Sequence, residues 1–184
     1  MSSTPGPVVP RTFGEYVERY FETRDDADLH DLRAAIVAHP SFDPDLAPTR
    51  VAAPFLEEGR AQDLLDDLLG RMPGAFFSAG THTALATAYE MVGDTARQQR
   101  EQSLAEAAVM TVLSTGDGTA ERPWTVLRVS DEYDVLRAIG RRSTTGEYVE
   151  RDGRSLDRLE QDDGGEAWFE IVRPTMTSRG EGSA

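Results

Sequence analysis

The chain contains no cysteine and no lysine. The first absence excludes disulfides, thiolate-bound zinc, iron–sulfur clusters and a thiol nucleophile, and it suits a reducing, cytoplasmic compartment. The second excludes Schiff-base chemistry and the lysine of a phosphate-binding P-loop; every one of the 19 basic residues is arginine, as GC-rich coding would produce. No apolar run approaches membrane-spanning length. The first ten residues carry Pro5, Pro7 and Pro10 without a basic stretch or an apolar run, so they do not read as a signal peptide. Gly-x-Ser-x-Gly, His-Glu-x-x-His and Gly-x-Gly-x-x-Gly patterns are all missing.

What is present is acid. The 184 residues carry a net charge of −14, of which −9 falls on residues 1–113 and −5 on the remainder. Such a field repels phosphate backbones and anionic lipids, which argues against nucleic-acid and membrane-surface partners and for a basic protein or peptide. Solubility alone is the simpler reason for the excess.

Sliding the sequence against itself reveals a period of 34. Leu85, Ala86, Tyr89 and Gly93 stand 34 positions after Val51, Ala52, Phe55 and Gly59, one further step back reaches Val17, Phe21 and Asp25, and Phe42 and Phe76 share the spacing. Two antiparallel helices and two turns need that length. Thr12 with Glu15 predicts a capping box before the Phe13, Val17, Tyr20, Phe21 face. A helix from Asp28 follows with Leu29, Leu32 and Ile36, and stops before Pro40. Ala61, Leu64, Leu65, Leu68 and Leu69 trace a buried stripe opposite Asp63, Asp66 and Asp67, with Pro73 and Gly74 ending it. Thr81 is the expected cap of a Leu85, Ala88, Tyr89, Val92 stripe, and a long helix runs to about Leu113.

Over roughly 100 residues this pattern resembles the tetratricopeptide family. It departs at Gln98, where the family has a small residue, and at Pro54, which would cost up to ~3 kcal/mol in a helix interior.

After Ser114 the periodicity changes. Trp124 to Val129 suits a strand, Ser130 a cap, Tyr133, Leu136 and Ile139 the inner side of a helix ended by Gly140, and the Asp152-Gly153 pair a hairpin turn. The expected fold is α+β: residues 1–11 disordered, three tetratricopeptide-like helical hairpins over 12–113, a small antiparallel sheet with one helix over 114–173, and a disordered tail over 174–184. The run Ser114, Thr115, Gly116, Asp117, Gly118, followed by Val126, Val129, Glu132, Tyr133 and Leu136, resembles an uncharacterised bacterial domain-of-unknown-function family. Leu32, Arg33, His82, Tyr89, Gly93 and Asp94 fit the same resemblance, while Asp131 replaces the family's first glutamate. It implies this architecture and no reaction.

His82 is the leading candidate for chemistry, because a helix start favours a neutral imidazole. Asp117 in its glycine loop is a candidate orienting carboxylate, and Glu132 a third member of a weak hydrolase constellation. For each, a structural role is the commoner one: a histidine bonded between elements, a glycine turn, a first-turn acid. His30 and His39 read as surface or capping residues, Asp43, Asp45, Asp162 and Asp163 as turn residues, Arg137, Arg141 and Arg142 as a solvated helix end, and Trp124 and Trp168 as core. No cofactor or metal is expected. The leading functional expectation is a noncatalytic interaction or scaffold protein that binds a basic peptide or protein through Phe55, Tyr89, Asp66 and Asp67. The alternatives are the His82 enzyme and an acidic immunity or antitoxin-like protein. Nothing in the sequence sets the oligomeric state.

Overall fold

Thr12 opens the first helix as expected, its hydroxyl accepting from the Glu15 amide while the Glu15 carboxylate accepts from the Thr12 amide. The computed structural model describes residues 11–175. Apart from their inner ends, the two expected disordered termini therefore lie outside the described residues. Six helices follow one another: α1 (Phe13–Thr23), α2 (Asp26–Ala38), α3 (Pro48–Glu57), α4 (Ala61–Gly70), α5 (Ala79–Met91) and α6 (Thr95–Leu113). Two starts differ from expectation. Asp25 caps α2, so that helix begins two residues before Asp28, and Ser78 rather than Thr81 caps α5, accepting from the Thr81 amide. Pro54 lies inside α3, on its exposed side one turn before the end, where only the Arg50 carbonyl loses a helical bond.

The second and third hairpins share one apolar cluster, in which Leu64, Leu68, Leu85 and Ala88 are completely buried around Ala52 and Tyr89. The first hairpin packs elsewhere. Its Tyr20, Leu29, Leu32 and Ile36 join Phe77 before α5, Ala108 of α6 and Leu127, with Phe42 and Phe76 at the margin. The apolar seam expected along three equal hairpins is thus divided, because α6 and the chain beyond it, not α3, cover α1 and α2.

The remaining elements are β1 (Trp124–Val126), α7 (Val129–Ala138), β2 (Ser143–Arg151), β3 (Arg154–Gln161) and β4 (Glu166–Ile171). They form a four-stranded sheet in the order β1-β4-β3-β2. The β2-β3-β4 meander is antiparallel as expected, with Asp152 and Gly153 at φ 53° and 76° in the β2-β3 turn. The sheet as a whole is mixed rather than antiparallel, since β1 pairs parallel with β4 through Trp124 and Phe169. α7 is the crossover that makes a parallel pairing reachable. Its Val135 and Leu136 cover Trp124, Val126, Leu159 and Phe169.

Polar contacts cross residue 114 freely. Arg33 of α2 donates to the Thr125 hydroxyl and carbonyl at 2.6 and 2.8 Å, Arg128 donates to the carbonyls of Asp43 and Gly74, and Asp134 accepts from the Gly80 amide at 2.8 Å. Gly74 is required there, because a Cβ would stand 2.4 Å from the Ser41 backbone, and a Cβ at Gly80 would stand 2.5 Å from the Asp134 carboxylate and displace it. No helix of the described residues is long and apolar enough to cross a membrane.

Candidate functional site

His82 sits in the first turn of α5 with 2% of its surface exposed. Its Nε2 lies 2.7 Å from the Phe76 carbonyl and its Nδ1 2.7 Å from Oε2 of Glu101 on α6. A carbonyl only accepts, so Nε2 carries a proton, and the line between Nδ1 and Oε2 holds one more. Neither nitrogen has a lone pair directed at a cavity. The orienting carboxylate is Glu101, not Asp117. Folding the α5-α6 hairpin at Gly93 brings positions 82 and 101 to within about a turn of each other, which is the signal that could have found it.

Asp117 is exposed. Its Oδ1 accepts from the amide and hydroxyl of Thr119, bonds that hold its carboxyl below the usual range, and Arg122 stands 3.5 Å away. The amides of Asp117 and Gly118 both donate to the Arg122 carbonyl, so the loop offers no free amide cradle for an anion. Its glycines answer to space: Gly116 lies against the Arg122 and Pro123 carbonyls, and Gly118, at φ +77°, lies against the Trp124 ring.

Glu132 belongs to a different assembly. Ser130 does not cap α7; its hydroxyl donates to the Leu46 carbonyl, and Arg128 takes the cap position. The acids of the first turns then point into the protein. Glu132 is 1% exposed beside Asp157 of β3, and burial, with the Asp157 charge second, pushes its carboxyl up to about 9. Asp131 is buried 3.8 Å from Arg128, and burial lifts it to about 7 against the pull of that guanidinium. Asp134 is raised by burial too, opposed by the Gly80 amide and by Arg137 at 2.9 Å. Arg33 is held down to about 10 by burial, and Arg128, 1% exposed over the Phe42 ring, is lowered for the same reason.

The five surface cavities at residues 44–50, 26–33, 105–113, 140–143 and 151–156 have none of His82, Glu101, Asp131 or Glu132 in their linings. The structure therefore does not bring His82, Asp117 and Glu132 together, and no group of three or more potential metal ligands occurs among the described residues.

No family model, curated protein or solved structure matches this chain. The family resemblance accordingly rests on the residues that suggested it, Ser114–Gly118 and the positions quoted with them.

The expected contact residues fare differently from one another. Tyr89 is 6% exposed inside the α3-α4-α5 cluster, so its ring is core and not a contact surface. Phe55 is half-buried at the edge of the same cluster, with the Arg60 guanidinium 5.1 Å from its ring centre. Asp66 is exposed and accepts from Gln62; Asp67 pairs with Arg71 at 2.8 Å. Arg33, Arg128 and Asp134, which organise the joint under α7, carried no local signal of burial. His30 and His39 bond the Thr175 carbonyl and the Ser41 hydroxyl near helix ends.

Proposed function

We propose that this chain is a noncatalytic interaction or scaffold protein of the cytoplasm, whose second and third hairpins act as a short tetratricopeptide-like solenoid and receive a protein or peptide of basic charge. The observation that carries the reading is the fate of the one histidine suited to catalysis: both nitrogens of His82 are engaged, by Phe76 and Glu101. The enzyme alternative loses its base on that geometry. The charge favours a basic partner, since Glu57, Glu58, Asp63 and Asp66 are all exposed on α3, α4 and their turn in a protein of net charge −14. Phe55 supplies an apolar edge beside that acid, and Asp67 lies on the same helix.

Affinity capture from native cells, compared between the wild-type chain and a Phe55→Ala, Asp66→Asn, Asp67→Asn variant, tests this. The expected result is a basic protein enriched on the wild type, reduced about tenfold on the variant, and weakened as ionic strength rises from about 0.05 to about 0.5 M. A capture profile that neither the substitutions nor the salt alters would overturn it.

A further inference from the structure

The outward side of α7 combines exposed apolar side chains with arginines. Val129 and Tyr133, 50% and 44% exposed, border a cleft toward residues 44–50, and on the other flank a groove of about 540 Å³ runs between α6 and α7, with Met110 of α6, 62% exposed, in its lining. That groove is lined by apolar side chains, among them Ala105, Val109, Leu113, Ala138 and Ile139, with Glu106, Asp134 and Arg137 at its borders. On the other side of α7 a cleft holds Asp45, Arg50, Tyr133 and Arg137, and at the end of the helix another holds Arg137, Arg141 and Arg142. Four arginines thus face three carboxylates here, in a protein where acids outnumber bases 33 to 19. Asp134 is itself buried and already shared between Gly80 and Arg137. Among the described residues, no carboxylate lies within ion-pairing distance of Arg50, Arg141 or Arg142.

We infer that this face is a second docking surface, built for an acidic amphipathic helix. α7 has ten residues and so is about 15 Å long, which suits a partner helix of about three turns laid along the groove. Apolar side chains spaced i, i+3, i+4 and i+7 would enter between α6 and α7, against Val109, Met110, Leu113 and Ile139. Carboxylates on the flank of that helix would meet Arg137, Arg141 and Arg142, where guanidinium pairing is strong. A basic helix would set its cations against the same three arginines. The surface is separate from the acidic one proposed for α3 and α4, so each can fail without the other.

The probe is a synthetic helical peptide of about 14 residues with leucine at the four inward positions and glutamate elsewhere, its fluorescence anisotropy followed with the full chain. A second peptide carries arginine for glutamate. The glutamate peptide should bind, the arginine peptide at least tenfold more weakly. Both the Arg141→Glu, Arg142→Glu variant and the Met110→Asp variant, altered at exposed positions, should weaken the glutamate peptide at least tenfold. Asp66→Asn should leave it unchanged. Absence of binding, preference for the arginine peptide, or indifference to the α7-face variants would overturn the inference, as would a self-associated chain that the two glutamate substitutions dissociate, which would assign the face to a second copy.

Discussion

Beneath α4, Leu64, Leu65 and Leu68 meet Leu85 and Ala88 with no charged side chain among them; beneath α7, Arg128, Asp131, Glu132 and Asp134 are almost as deeply buried as those leucines. The first region is held by apolar burial, worth about 1.5–3 kcal/mol for each leucine and indifferent to pH. The second is held by directional pairs, each of which is unfavourable to bury unless its partner is in place. The contrast explains how a helix of ten residues is fixed against both the hairpins and the sheet. Asp131 looks toward Arg128, Glu132 toward β3 and Asp134 toward α5, so a displaced α7 would strand three carboxyls at once.

Substitution in each region should expose the difference. Leu68→Ala leaves a cavity and should destabilise the fold by about 3–5 kcal/mol, equally at pH 5 and pH 8 in chemical denaturation. Arg128→Met removes the donor to the Asp43 and Gly74 carbonyls and the partner of Asp131, and should cost about 3 kcal/mol. That cost should grow above about pH 7, where Asp131, raised to about 7, ionises beside Arg128 in the wild type but without the guanidinium must stay protonated or become an uncompensated buried charge. If the two variants respond to pH alike, the distinction between the regions fails.

The same contrast decides what could be read in advance. The Leu64, Leu65 and Leu68 stripe of α4, the Thr12 capping box and the Asp152-Gly153 turn were legible because their causes are local: a 3.6-residue period, a side chain beside its own helix end, a backbone with positive φ. Leu69, expected in the same stripe, is 44% exposed at the end of α4. The parallel edge between β1 and β4 was not, since residues 45 positions apart determine it. A Ser-Asp-Glu run before an apolar period is the ordinary mark of an exposed helix start, and only β3, α5 and the loop at Asp43 convert those acids into buried ones. His82 stood out for its residue type, but its partner lay on the next helix. Tyr89 was read as a contact because aromatic residues serve cores and interfaces equally well; the packing of α3, α4 and α5 made it core.

The account turns on the inner side of α7 burying Glu132, whose carboxyl is raised by burial to about 9. Glu132→Gln preserves the shape and stays neutral at every pH. Because the folded value for Glu132 is raised to about 9 from an ordinary 4.5, its contribution is complete below about pH 4.5 and is lost as pH climbs toward 9. Unfolding free energies of the two proteins, measured by denaturant titration at intervals from about pH 5 to about pH 8, should diverge: wild type should lose up to ~1.4 kcal/mol per pH unit more than the variant. Parallel curves, or a variant that does not fold anywhere in that range, would contradict it.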